Sequence, residues 1–353
     1  MDPMRPYDAF LLLSFGGPEK TDDVIPFLEN VTRGRGIPRE RLAEVGEHYF
    51  LFNGVSPINQ QCRDLIEAVR ADFDANGVDL PIYWGNRNWD PYLTDTVAQM
   101  AEDGVRRVVA LATSAYSSYS SHRQYLEDVD RAREAVGAGA PRIDLIRPYF
   151  DHPGFIDSFA DNTRAALRRL PADLRADARL LYSAHSIPTA MSQASGDPEC
   201  RPGAAGGAYP AQLAEVARLV TERVDADSER GHAHELVYQS RSGPPGQPWL
   251  EPDINDRLEE LAAEGVKAVV VVPHGFVSDH MEVKYDLDVE ALETADKLGI
   301  RLVRALAPGT HPSFVAMVRD LVRERAESEA PRAGLSALTP TCHDCPPGCC
   351  GQR

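Results

Sequence analysis

Basic residues are scarce in this chain: 37 lysines and arginines face 54 aspartates and glutamates, for a formal charge of -17. Nucleic acids and anionic membrane surfaces both require a basic footprint, so neither is an expected partner. Long apolar runs are also missing. The most apolar stretch, 268–272, falls far short of the roughly 20 residues that span a bilayer, so no membrane crossing is expected. No signal-like apolar stretch precedes the first strand-like run, which makes export unexpected and the cytoplasm the expected location. Cysteine is sparse outside the C-terminus. Cys62 and Cys200 stand alone, whereas Cys342, Cys345, Cys349 and Cys350 crowd the end of the chain. In a reducing compartment that crowding reads as a metal or cluster site.

A length of 353 residues suits two domains of about 150 residues each. Strand-like runs at 9–13, 81–84, 105–111, 142–146, 178–182, 235–238, 266–272 and 301–303 alternate with helical periodicity. That alternation predicts an α/β fold with parallel, doubly wound sheets. The halves also resemble each other. PYLTD at 91–95 and EDGVRRVV at 102–109 match PDIND at 252–256 and AEGVKAVV at 263–270 at a constant offset, and YWGNR at 83–87 parallels VYQSR at 237–241. A duplicated α/β domain is the simplest explanation, with corresponding loops facing one shared cleft. The expected division is 1–152 for the first domain, completed by a helix at about 310–326, then 153–309 for the second. Segment 193–208 reads as a surface loop, and 327–353 as a linker with a cysteine-rich tail.

Chemistry-bearing residues gather at the predicted strand ends. SAHSIP at 183–188 places His185 on the turn after a strand, where an imidazole can exchange a proton near neutral pH. Just after another strand, Glu282, Asp286 and Glu290 recur every four residues, so a helix would carry three carboxylates on one face. Like charges at that spacing repel, and a cation moving along the ladder would reverse the sign. Each feature has a plainer reading: a turn histidine that bonds only its own backbone, or the solvated face of an acidic protein. Arg33 and Arg35 in TRGRG, with Arg87, are candidates for binding carboxylates of an anionic ligand. Tyr49, Ser56 and Tyr125 are cleft candidates by loop position.

From Tyr7 to about Arg325 these residues resemble the ferrochelatases, most specifically through the SAHSIP turn and the GFVSDHME element at 275–282. The resemblance implies two Rossmann-like, chelatase-type domains around a porphyrin cleft, with His185 and Glu282 catalytic and handling the metal. It implies an acidic ladder of Asp286 and Glu290 on a helix with a π-turn. Ser56, Tyr125 and Phe15 would meet the porphyrin, with Arg33, Tyr49 and Arg87 around its propionates. FLENVTRGRGIP at 27–38 and YWGNRNW at 83–89 look like the actinobacterial branch, whose members insert Fe2+ into coproporphyrin III and pass coproheme to a decarboxylase for heme b. A tetracarboxylate substrate needs no membrane, and no apolar lip is expected. A monomer is expected. Protoporphyrin IX as substrate, or a non-catalytic metal- or tetrapyrrole-binding protein, are the alternatives. Phe15 stands where some relatives have an iron-ligating tyrosine, and His274 is an unusual residue before Gly275. The tail resembles a [2Fe-2S] site formed by Cys345, Cys349 and Cys350, with His122 or Cys342 as fourth ligand.

Overall fold

A computed structural model describes residues 6–34, 36–197, 199, 206–228, 230–241, 246–327, 330–342, 344–346 and 348–351. Candidate Arg35 and Cys200 lie outside the described residues. Every predicted strand forms: β1 (Ala9–Ser14), β2 (Ile82–Asn86), β3 (Arg107–Ala112), β4 (Arg142–Leu145), β5 (Arg179–His185), β6 (His234–Gln239), β7 (Ala268–Val272) and β8 (Arg301–Arg304). The helices are α1 (Val24–Val31), α2 (Arg39–Phe50), α3 (Ile58–Ala75), α4 (Leu93–Glu102), α5 (Gln124–Val136), α6 (Pro153–Arg169), α7 (Thr189–Gln193), α8 (Ala208–Val224), α9 (Ile254–Ala263), α10 (Met281–Tyr285), α11 (Ala291–Leu298) and α12 (Pro312–Ala326).

The strands make two four-stranded parallel sheets, β2-β1-β3-β4 and β6-β5-β7-β8. The two orders are the same order shifted by four strands. Both sheets are covered by helices, which is why β1 and β7 are buried along their whole length and read as unbroken apolar runs rather than alternating ones. The duplication extends to small devices. Asn86 N–H donates to Pro91 O at 2.7 Å, and Tyr238 N–H to Pro252 O at 2.9 Å. After α4 and α9, Gly104 (φ +78°) and Gly265 (φ +86°) take the left-handed conformation that ends a helix. Val105 N–H then reaches back to Met100 O at 2.9 Å and Val266 N–H to Leu261 O at 3.0 Å. Each half therefore turns from helix into buried strand by the same backbone bond.

Helix α12 returns to pack on both α3 and α6, one helix from each half of the chain. The segment after it is docked rather than loose, unlike the simple linker expected. Arg147 and Glu324 form a buried bidentate pair at 2.6 and 2.9 Å, and Arg147 also donates to Ala333 O at 3.0 Å. Leu335 N–H donates to Asp151 O at 3.1 Å. A buried charge pair is tolerated when its remaining hydrogen-bonding capacity is filled, and the segment fills it here.

Candidate functional site

His185 is the last residue of β5, in register with Gln239 of β6, rather than on the turn beyond the strand. Strand pairing therefore holds its backbone. The Tyr209 hydroxyl adds a 3.0 Å bond to the His185 carbonyl, and ring Nδ1 meets Ser186 O. With Nδ1 engaged, Nε2 faces the cleft, 3.6 Å from Glu282 Oε2. Glu282 arrives from the adjacent β7 loop on the first turn of α10. That loop passes so close to β5 that a Cβ on Gly275 would sit 2.7 Å from Ala184 Cα, so only glycine fits next to His185. His280 approaches the same Glu282 oxygen through Nδ1 at 3.8 Å. Both side chains remain reachable, His185 at 35% and Glu282 at 50% exposure. Sequence reading missed His280, although it lies inside the GFVSDHME element. Among the described residues, no three His, Cys, Asp or Glu side chains form a ready metal-binding group.

The carboxylate ladder is present with a modified helix. Between α10 and α11 the segment Asp286–Glu290 is a π-turn, a wide turn found mostly as single insertions at functional sites. Asp286 Oδ2 accepts from the Ser240 hydroxyl and from Gln239 Nε2 at 3.3 Å. Ser240 holds the uncommon φ of +60°. Burial raises the Asp286 carboxyl to about 7, and the Glu282 and Glu290 charges push the same way against those two hydrogen bonds. Glu290 is raised too, by burial and then by Asp253 and Glu293. On the opposite side of the turn Arg304 grips Asp288 at 2.6 and 3.0 Å and Asp279 at 3.1 Å through each nitrogen. Arg304 thus ties the loop before His280 to the π-turn.

The first half closes over this centre. Tyr49, Phe27 and Met281 share an apolar cluster against which Phe15 packs. Burial, then the charges of Glu282 and Asp286, push the Tyr49 hydroxyl far above its usual range. His48 stacks on Tyr285 with ring centres 3.7 Å apart and planes 7° from parallel. Phe50, Leu51 and Val55 are exposed around the end of α2, Leu51 by 65%.

The remaining candidates separate by burial. Ser56 is buried, its N–H donating to Pro18 O at 2.8 Å. Tyr125 is buried beneath the Arg87 guanidinium, 4.7 Å from its ring centre, and Phe15 lies 5.7 Å away from the same cation. Arg33 is exposed. Arg33, Arg87 and Asn88 line a cavity of about 600 Å³ with Gln124, Asp128 and Arg131 of α5. His274 is fully buried, and both ring nitrogens face backbone carbonyls, Ser183 O at 3.2 Å and Leu213 O at 3.1 Å. It packs the core between Tyr116 and Tyr182 and offers nothing to a metal.

The tail folds back on α5. Cys349 and Cys350 are buried with sulfurs 3.6 Å apart, and the Gly196 N–H points at Cys350 Sγ at 3.2 Å. Both cysteines line a space of about 410 Å³ with Tyr119, Arg123 and Glu127. His122 is buried in the adjoining π-turn, Tyr119–Arg123. Cys342 is disulfide-bonded, and a sulfur held in a disulfide is not a thiolate donor.

Comparison with known proteins agrees with this geometry. A coproporphyrin III ferrochelatase of Streptomyces griseus is 56% identical, covering 100% of this chain and 95% of that one. The protein of the same name from Streptomyces coelicolor is 55% identical over 99% of this chain and 94% of its own. A ferrochelatase of Rhodopirellula baltica is 50% identical over 99% of this chain and 95% of its own. Among solved structures, SirB from Bacillus subtilis with Fe3+ shares the fold at a TM-score of 0.54 and 11% identity, covering 93% of this chain and 99% of that one. A sequence model of the ferrochelatase family matches residues 7–326, and the chain belongs to that family.

Proposed function

We propose that this chain inserts Fe2+ into coproporphyrin III, releasing both pyrrole protons and giving coproheme for heme b synthesis. The observation that carries the reading is the facing pair of His185 Nε2 and Glu282 Oε2 at 3.6 Å, a proton acceptor and a metal-binding oxygen presented from neighbouring strands. The full-length relatives named coproporphyrin III ferrochelatase supply the metal and the porphyrin. In this mechanism the carboxylate arms anchor the macrocycle, and their binding energy bends it so that pyrrole lone pairs point at the pair. His185 and Glu282 together take the protons and hold the entering iron, while Glu290 and Asp286 form the path inward. Phe15, Tyr49, Ser56 and Tyr125 shape the macrocycle's seat, and Arg33 and Arg87 meet its carboxylates.

Anaerobic iron insertion by the purified protein, comparing coproporphyrin III with protoporphyrin IX, tests the reading. His185→Ala and Glu282→Ala should each lower the rate by at least 100-fold, the scale of general acid–base and positioning effects combined. Faster insertion into protoporphyrin IX would overturn the substrate, and tight porphyrin binding without insertion would make the chain a carrier. We also assign the first domain to 1–152 with α12 and the second to 153–309. The reading includes a cytoplasmic monomer that hands coproheme to a decarboxylase, supported by the acidic balance and by the tetracarboxylate product.

For the tail we propose a [2Fe-2S] cluster on Cys345, Cys349, Cys350 and His122. Two thiolates on one tetrahedral metal with bonds of about 2.3 Å lie roughly 3.8 Å apart, close to the Cys349–Cys350 separation. Histidine on iron has precedent in Rieske centres. Such a cluster would supply a redox-active anchor joining the tail to α5. Visible absorption and EPR of anaerobically purified protein, with His122→Ala as comparison, test the ligand set. A colourless, iron-free protein after anaerobic reconstitution would refute it.

A further inference from the structure

Asp128 on α5 stands in the wall of the cavity, facing Arg87 and Arg131. Its carboxylate lies 2.5 Å from Arg87 Nε, with side chains only 11% and 8% exposed, and it is also bonded by Arg131. The two are paired by charge at close range, although Arg87 Nε and Asp128 Oδ2 miss the angular geometry of a full hydrogen bond. The cavity beside them is lined by three arginines, Arg33, Arg87 and Arg131, against the single acid Asp128, an excess of two positive charges. Arg87 cannot swing freely because its guanidinium lies over the rings of Tyr125 and Phe15. Phe15 in turn packs on the cluster containing Met281, next to Glu282. The cavity and the reaction centre are therefore joined by one aromatic side chain.

We propose that Asp128 is a specificity-determining stand-in: in the empty cleft it holds Arg87 and Arg131, and a porphyrin carboxylate displaces it to claim both guanidiniums. This rests on the porphyrin-binding part of the function proposed above. The arrangement keeps the arginines ordered and their charge neutralised until a ligand with its own carboxylate arrives. A ligand with an apolar arm would leave the Asp128 pairs intact and gain nothing there. Burial already raises the Asp128 carboxyl against Arg87 and Arg131, with Glu127 nearby, so the acid is poorly solvated where it stands.

The test is binding of metal-free coproporphyrin III and of its tetramethyl ester to the full-length protein by fluorescence, with iron insertion assayed in parallel. Asp128→Asn removes the competitor and should tighten coproporphyrin III binding by about tenfold while leaving the ester unchanged. Arg131→Gln, on a side chain 63% exposed, should fold normally and weaken coproporphyrin III binding by about tenfold, again without effect on the ester. A merely structural Asp128 would weaken binding of both ligands when replaced. If Asp128→Asn does not fold, the Arg131→Gln pair of measurements decides. Unchanged or weaker coproporphyrin binding by a folded Asp128→Asn, or an Arg131→Gln effect shared by the ester, would overturn the proposal. Wild-type protein that binds coproporphyrin III but inserts no iron would defeat the chelatase reading and leave this one standing.

Discussion

Replacing Arg304 with methionine tests whether the acidic turn is held from behind. The guanidinium makes four contacts of 2.6 to 3.1 Å with Asp279 and Asp288, and its side chain is only 10% exposed. Asp288 would keep Lys284 as partner, but the Asp279 carboxylate, 11% exposed, would lose its charge partner. Breaking a buried pair from one side costs about 3–5 kcal/mol. For a chain of this size roughly 2 °C of melting temperature accompanies each kcal/mol, so a fall of about 6–10 °C is expected by calorimetry. Asp279 precedes His280, and Asp288 sits within the π-turn, so release should also misplace Glu282. Misplacement by about 1 Å costs on the order of 100-fold in rate, and iron insertion should fall by that much. Arg304→Lys cannot bridge two carboxylates with one ammonium and should fall between the two. The sign of the pH dependence follows from Asp288. Burial works to raise its pKa, but Arg304 and then Lys284 outweigh it and hold the carboxyl below the usual range. Its stabilisation is present above the unfolded pKa of about 3.9 and disappears as pH falls through the lower folded value, so the deficit of Arg304→Met should narrow in acid. A variant melting within about 2 °C of wild type, or one that melts lower yet inserts iron at the wild-type rate, would refute the reasoning.

Three further outcomes are expected. Asp286 is raised to about 7, so the folded protein holds a proton there that the unfolded chain has lost. Its contribution to stability therefore declines as pH rises from about 4 to 7, at up to roughly 1.4 kcal/mol per unit. Asp286→Asn should remove that slope, with urea denaturation at pH 5 and pH 8 as the check, and equal slopes in both proteins would disprove it. Gly265→Ala meets no atom within 4 Å, so its cost is the left-handed backbone alone, about 1–2 kcal/mol by chemical denaturation. Tyr285→Ala removes the ring stacked on His48 and should lower stability by about 0.5–1.5 kcal/mol, read by urea denaturation; an unchanged midpoint would refute it.

Local chemistry made much of this protein readable from its sequence. Buried parallel strands must be continuous apolar runs, helices ending before them need a left-handed glycine, and a repeated pattern with constant offset means a repeated domain. All eight strands and both glycine stops followed from those constraints. His185 and the Glu282, Asp286 and Glu290 ladder were readable too, because residues with unusual chemistry stand directly beside strand ends. What the sequence lacked was pairing between distant elements. Nothing local announces that Arg304 of β8 grips both sides of the acidic turn, that His48 stacks on Tyr285, or that Asp128 engages Arg87. A charged residue on a helix or strand edge looks alike whether its partner is water or a buried counterion, and only folding decides which. His274 shows the same limit from the other side. Its place beside the motif suggested chemistry, but packing against Tyr116 and Tyr182, with both ring nitrogens on backbone carbonyls, made it part of the core. Sequence determined the elements and the chemical types available at the cleft; tertiary structure decided which charges are neutralised, because neutralisation depends on distances between residues far apart along the chain.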